Sequence, residues 1–466
     1  MSHVFMTGGM KDRLPFDVWV AIAAHLPVQA ILCLRCTCQD LYDIMGERAI
    51  WNQALSDILE VVNLPLLRHT MHLMSALELR QKAILVTHID RLFDHQIIKP
   101  ANVQLYRMAN DVSQAAIAPG GDGIVLMQDD GTLRVHKMGN LAQSRPLVVQ
   151  RPDSITGRVH EPFPTLLLSS SGEHHVAVAC DHYTNMDGRR TAVFRVFRVD
   201  FDVPSVQLLT TFELHDAYRS FVFQEGYLVT RWQQNGTYLI SVRKIACSAQ
   251  EIEEEVVMDV GSEMIHYHPR LKRICAHMFV LSSRSRLYLY AIPKMSPVRD
   301  GQASCVVPVT ALAVYGQEER KEIWNLICNH HNGGRVATAA EIGVQDYVLM
   351  IWPPKGQRED TFVRHIGGAF DLGLCRALWA KDFLNLKTIK LHICTYITKP
   401  DDCAGYMRLG RLHAPDPSHA VSIPLLAQPG SLVDLSWDEE SGRIVVLISC
   451  PDQGQDTRDI LVVDLL

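Results

Sequence analysis

Two cysteines three positions apart offer the first chemistry in this chain. Cys33-Leu34-Arg35-Cys36, with Cys38 just beyond, has the spacing of a redox pair or of half a zinc site. Zinc takes four ligands, and no second Cys or His pair lies nearby in sequence, so the stretch reads as buried thiols on a helix. His69 and His72 would share one helical face at a spacing that suits two ligands, but no carboxylate accompanies them. The adjacent pairs His174-His175 and His330-His331 are expected to diverge, one pair on a strand and the other in a turn. Glu251 to Glu255 (EIEEE) is the densest acidic run, and it reads as solvated charge in a connection or as a rim patch for a basic partner. No Gly-rich phosphate loop, nucleophile elbow or H-E-x-x-H sequence occurs. These residues predict no active site, no metal and no cofactor, and hence a protein that is not an enzyme.

The composition fits a chain that works by binding. At 466 residues it is long enough for two or three domains, and its 47% apolar and 21% charged content is that of a globular protein with a large core. A net charge of −6 without a Lys/Arg cluster argues against a nucleic-acid surface. The first residues, MSHVFMTGGMKDR, lack the apolar core of a signal peptide, and no run of about eighteen apolar residues predicts a membrane span. The 12 cysteines are scattered in apolar surroundings and read as reduced, buried thiols, which points to the cytoplasm or nucleus.

Residues 1–12 carry no pattern and are expected to be disordered. The chain then organises around Leu14 to Trp51. Leu14-Pro15 followed by Asp17 is a helix start. Val18, Ile22 and Leu26 recur every four residues as one apolar stripe, and Pro27 stops it. A second apolar run begins at Ile31, Leu32 and Leu34 and continues through Leu41 and Ile44. Gly46 breaks it, and Ile50-Trp51 close the unit. Three short helices in about forty residues bury too little surface to stand securely alone, so such a unit suits docking.

These residues resemble the F-box, the motif that seats substrate receptors on the adaptor of a cullin–RING ubiquitin ligase. Leu14-Pro15 fits the opening Leu-Pro of that family, Val18 and Ile22 its first-helix aliphatics, and Leu26-Pro27 its second Leu-Pro. Leu32, Leu34 and Arg35 fit the central Leu-x-Leu-Arg, Cys38 the Cys, and Ile50-Trp51 the closing apolar-Trp pair. Ala30, Thr37 and Leu41 depart from the pattern. The resemblance implies adaptor binding through Leu14, Pro15, Val18, Ile22, Leu26, Pro27, Leu32, Leu34, Arg35 and Trp51, with some of them packing the core of the module itself.

Residues 13–55 thus form the expected F-box and residues 56–100 a helical connector, with Leu73, Leu77, Ile84, Ile89 and Leu92 on one face. From 101 to 466 the grammar is that of strands. Middle strands are read at 123–128, 175–180, 226–231, 273–278, 335–340, 388–396 and 443–449, roughly fifty residues apart, as in propeller blades. DDGT at 129–132 is a hairpin turn, and Val103–Met108 is placed to complete the last blade and lock the ring. No regular Gly-His/Trp-Asp signature is present. The expected fold is therefore α+β and multidomain: a three-helix F-box and helical linker, then an all-β, seven-bladed propeller, with a pair of β-sandwiches as the rival. Trp232, Trp324, Trp352, Trp379 and Trp437 are expected in the core.

The functional expectation is a substrate receptor. It would dock on the adaptor subunit and, through it, on cullin, and hold an unknown protein substrate near the ubiquitin carrier, working by proximity alone. The alternatives are an F-box scaffold acting outside a ligase and a propeller-type binding protein or enzyme. Recognition of a phosphorylated substrate would need Arg189, Arg190, Arg284, Arg286, Arg364 and Arg376 to converge.

Overall fold

The computed structural model describes residues 14–62, 64–108, 112–138, 147–149, 158–160, 165–171, 174–185, 190–203, 205–215, 217–224, 226–234, 237–247, 253–261, 270–275, 278–283, 286–298, 306–315, 322–328, 336–343, 346–352, 362–366, 370–372, 376–381, 388–395, 404–411, 421–426, 431–452 and 455–466. Proline and small polar residues set the helix boundaries. Helix α1 (Phe16–Ala24) follows extended Pro15, with Asp17 in its first turn, and α2 (Val28–Arg35) follows extended Pro27. The expected second run breaks at Cys36–Cys38, and α3 (Gln39–Ile44) is a separate helix that begins after extended Cys38. Helix α4 (Arg48–Val61) runs through the residue-55 boundary and turns Ile50, Trp51, Ala54, Leu55, Ile58 and Val61 inward. Helix α5 (Pro65–Thr70) starts on proline.

Helix α6 (Ala76–Leu92) corrects the predicted connector face. Ser75 Oγ accepts from the Glu78 amide at 3.3 Å, and the Ser75 amide donates to Glu78 Oε2 at 2.7 Å. This capping box restarts the helical phase after the 3₁₀ turn Met71–Leu73. Of the predicted face, Ile89 is buried and Ile84 and Leu92 pack half-buried on the apolar cores, whereas Leu73 and Leu77 are exposed and Leu79, Ala83 and Val86 are buried in their place.

The strands form seven sheets among the described residues, and each sheet is antiparallel along its main path. Their first strands are Val112–Ile117, Thr165–Ser171, Ala217–Gln224, Arg270–Cys275, Glu322–Cys328, Phe370–Leu372 and Ser431–Asp438. Each of these touches the next in order, and the last touches the first, so the sheets surround a common axis. Asn102–Met108 pairs with Gln455–Asp464 in the last sheet, with Val103 opposite Val463 and Leu105 opposite Leu461. One sheet thus joins strands from both ends of the β region. The result is a β-rich, propeller-like domain with a small helical layer.

Five of the expected middle strands are second strands of their sheets: Gly123–Gln128, His174–Asn185, Tyr227–Gln234, Val336–Gly343 and Arg443–Asp452. Two are corrected. Residues 273–278 begin in the first strand, Arg270–Cys275, and end at the start of the second, Met278–Ser283, and Thr388–Thr395 is a third strand, the second being Arg376–Lys381. The DDGT turn joins Gly123–Gln128 to Leu133–Lys137, and Gly131 takes the positive φ of 82° that it requires.

The helical layer lies on the rim where first strands hand on to second strands. Ile89 on α6, with Phe93 and Ile98, packs into one apolar cluster with Leu378, Ile389, Ile423, Trp437 and Ile444 of the last two sheets. The Ile98 amide donates to the Ser422 carbonyl at 3.0 Å. A further short helix, α7 (Ala404–Leu409), lies between the third and fourth strands of the sixth sheet. It buries Tyr406 and Leu409 in the cluster formed by α1–α6. Gly410 ends it at φ 79°, and the Arg411 amide returns to the Tyr406 carbonyl at 2.8 Å. Helical layer and ring share their packing.

Candidate docking surface

Helix α1 divides its apolar residues between two faces. Trp19 (6% exposed) and Ala23 (1%) enter the core shared with α4. Val18 (38%) and Ile22 (37%) stand one turn apart on its outer face, Leu14 (37%) continues the four-residue spacing just before the helix, and Phe16 (44%) is exposed at the helix start. Pro15 is exposed beside them. Scattered exposed leucines are ordinary, whereas these form a row whose reverse side is packed, which makes it the candidate contact surface. Phe16 was not among the residues named from sequence; its signal was a large aromatic directly after Pro15.

The other predicted docking residues support this surface from within. Leu26, Leu32 and Leu34 are half-buried against the helical core, and Pro27 is half-buried at the start of α2. Arg35 lays its guanidinium 4.0 Å from the centre of the Tyr42 ring and donates from Nε to the Tyr42 carbonyl at 3.3 Å, joining α2 to α3. Trp51 corrects the prediction. It is 0% exposed, and its Nε1 donates to the Met45 carbonyl at 2.7 Å, so it is a core anchor with no surface to offer.

The cysteine reading is corrected as well. Cys33, Cys36 and Cys38 are exposed, whereas Cys180, Cys247, Cys394 and Cys450 are buried. On short α2 the buried positions belong to Val28 and Ile31, which leaves Cys33 outside, and Cys36 and Cys38 lie in the exposed break between α2 and α3. Among the described residues no group of three or more His, Cys, Asp or Glu side chains is arranged to hold a metal ion, and no helix is long and apolar enough to cross a membrane.

Other predicted positions are spread out. His72 is exposed on the 3₁₀ turn, and the His69 side chain lies outside the described residues, as do His330 and His331. His174 and His175 are neighbours on the strand His174–Asn185, as expected, and both border a cavity of about 280 Å³ with Asp122, Arg198, Asp200 and Phe201. The His175 ring stands edge-on to Phe201 at 5.2 Å, and burial holds its pKa below the usual value. In the acidic run, Glu255 is not simply solvated. It accepts from Ser241 Oγ at 2.6 Å and pairs with Arg243 at 3.3 Å on the neighbouring strand.

Arg376 is unavailable to any phosphate. It is buried, with Nη2 3.1 Å from Asp90 Oδ1 and its guanidinium 4.5 Å from the Phe93 ring centre. Arg189 and Arg284, and the side chains of Arg190, Arg286 and Arg364, lie outside the described residues. Trp379 and Trp437 are buried and Trp232 is half-buried, while the side chains of Trp324 and Trp352 lie outside the described residues.

No known family profile matches the chain, and no curated protein matches it in sequence. Solved structures resemble it at low identity. Raptor from Chaetomium thermophilum gives a TM-score of 0.45 at 10% identity, covering 96% of this chain and 41% of that one, so this chain spans about two fifths of Raptor's length. The β-propeller domain of Cps50 (Swd1) from Myceliophteria thermophila gives 0.41 at 11% identity, covering 78% and 98% of the two chains. The C-terminal WD40 domain of Sif2 gives 0.40 at 11%, again covering 78% and 98%.

Proposed function

We propose that this chain is the non-catalytic substrate receptor of a cullin–RING ubiquitin ligase. Helices α1 and α2 dock on the adaptor subunit, and through it on cullin, while a seven-bladed propeller holds a protein substrate. The reading places the protein in the cytoplasm or nucleus. The observation that carries it is the outward row of Leu14, Val18 and Ile22 with Pro15, positions that fit the F-box pattern and stay exposed while Trp19 and Ala23 on the same helix are buried. Covering four such side chains in an interface removes apolar area worth about 25 cal/mol per Å², enough to matter for a patch of this kind.

The ligase chemistry lies on other subunits in this reading. This chain contributes proximity, raising the local concentration of substrate lysines beside the ubiquitin carrier. Packing of the helical layer on the last two sheets supports that role, because a receptor that positions its cargo gains from a fixed distance between its two ends.

The test is a pull-down of the tagged full-length chain, probed for adaptor and cullin. Val18→Asp with Ile22→Asp, and separately Leu14→Ala with Pro15→Ala, are expected to abolish capture of both in chains shown by thermal melting to be folded, a control needed because Leu14, Val18 and Ile22 are only 37–38% exposed and each change also alters packing. Capture of the adaptor without cullin would replace the receptor by a scaffold acting outside the ligase. Capture of neither by the wild-type chain would end the docking reading.

A further inference from the structure

Helix α1 presents the docking row but is poorly secured by its own sequence. It has nine residues and no side-chain hydrogen bond at its start, and helices this short are marginal in isolation. The carbonyls at its end are met from far along the chain. Arg408 on α7 donates from Nη1 to the Ala23 carbonyl, 385 positions away, and to the Leu26 carbonyl at 3.0 Å. Its Nε donates to Asp57 Oδ2 on α4 at 2.8 Å, and both residues are buried. A cation suits the negative end of a helix; the Ala23 carbonyl also accepts from the Leu26 amide at 3.2 Å, and the Leu26 carbonyl lies two residues beyond the helix. Without Arg408, the Asp57 carboxylate would keep its bond from Gln53 Nε2 at 2.7 Å but lose its counter-charge in a buried site.

We infer that Arg408 is a positioning residue for the docking face: the helix inserted in the sixth sheet reaches back to fix α1, so that Leu14, Val18 and Ile22 are presented on a ring whose sixth sheet is complete. The neighbouring contacts work the same way. Arg411 Nε reaches Asp90 Oδ2 at 2.5 Å and its Nη1 reaches Asp94 Oδ1 at 2.7 Å, tying the strap that carries α7 to α6 just beyond Arg408. The docking module therefore depends on a residue that the chain reaches only near its end. The functional consequence rests on the docking reading above; the positioning of α1 does not.

The experiment compares full-length wild type with Arg408→Met, Arg408→Lys and the milder Asp57→Asn, by hydrogen exchange and by adaptor capture. Arg408→Met should raise exchange of the amides from Val18 to Leu26 at least about tenfold, with little change in the central strands Gly123–Gln128 and Arg443–Asp452. Arg408→Lys should restore only part of the protection, because one ammonium group cannot serve the carboxylate and both carbonyls as the guanidinium fork does. Asp57→Asn should fall between wild type and Arg408→Met. Adaptor capture should weaken in the same order. If α1 exchanges as in wild type, or if all regions loosen equally, positioning by Arg408 is overturned. If α1 loosens selectively while even the wild-type chain captures no adaptor, the positioning stands and the docking reading falls.

Discussion

Asp434 is a carboxylate in a place that favours its neutral form. It lies on the first strand of the last sheet, where Oδ2 accepts from the Ala115 amide of the first sheet at 3.0 Å and Oδ1 accepts from the Leu435 amide at 2.9 Å. Burial pushes its pKa from the usual 3.8 to about 6, outweighing the two amides that favour the anion. The sign follows from linkage. Between 3.8 and about 6 the unfolded chain has lost this proton and the native chain still holds it. The contribution of Asp434 to stability therefore falls as pH rises through that window, by on the order of 3 kcal/mol, and is flat above it. Asp438 and Glu440, farther along, are pushed upward by burial too, so the wild-type pH profile sums several groups. The informative quantity is a difference. The melting temperature of Asp434→Asn minus that of wild type should increase from pH 4 to pH 6 and stay constant from pH 7 to pH 8. A difference that does not vary with pH would rule out this titration.

Helix α6 shows what an element needs beyond its apolar count. An every-third-or-fourth pattern from Leu73 to Leu92 reads as one face, but the Ser75-x-x-Glu78 box marks a helix start inside it, and beyond that start Leu79, Ala83 and Val86 are buried while Leu73 and Leu77 are exposed. The signal was in the sequence and was outweighed by hydrophobic periodicity. Ser75→Ala should cost about 1 kcal/mol, read as a lower denaturant midpoint at unchanged slope. A midpoint equal to that of wild type would mean that packing alone sets the start of α6. The exposed apolar row was legible for a related reason: Leu14, Val18 and Ile22 recur at a helical interval around Pro15. Trp51 was misassigned because a large aromatic suits an interface and a core equally, and only the Met45 carbonyl beside its Nε1 decides between them. Second strands were legible where Val, Ile and Leu runs ended at Gly or Asp turns, and 273–278 failed because its residues are shared between two strands, Arg270–Cys275 and Met278–Ser283. Helix α7 was not legible as a partner of α1. Six residues, AGYMRL, carry no periodicity to read, and their contacts cross most of the chain.

At the scale of the molecule, the two ends of the β region meet in one sheet, and the same chain segment that completes it leads directly out of the helical layer. Phe93 and Ile98 pack on the last two sheets, the Ala101 amide donates to the Asp464 carbonyl at 2.9 Å, and Asn102–Met108 then runs along Gln455–Asp464. A buried pair, Arg376 with Asp90 at 3.1 Å, and a half-buried one, Lys82 with Glu440 at 2.9 Å, tie the layers at further points. A helical module tethered by a free linker would melt on its own, whereas layers that share a core and buried charges should melt together. The closing strand tests this without disturbing the core, because Leu105 is exposed. Leu105→Ala should leave the melting temperature within about 1 °C of wild type, since surface truncations are usually small. Gln104→Pro combined with Leu105→Pro must remove one amide that points into the ladder, because neighbouring residues of an antiparallel strand alternate between inward and outward N–H groups. That double change should lower the melting temperature by several degrees and keep a single calorimetric transition for helices and strands alike. Two separated transitions, with the helices melting at the wild-type temperature, would mean that the helical layer only rests on the ring and that closure of the last sheet does not govern it.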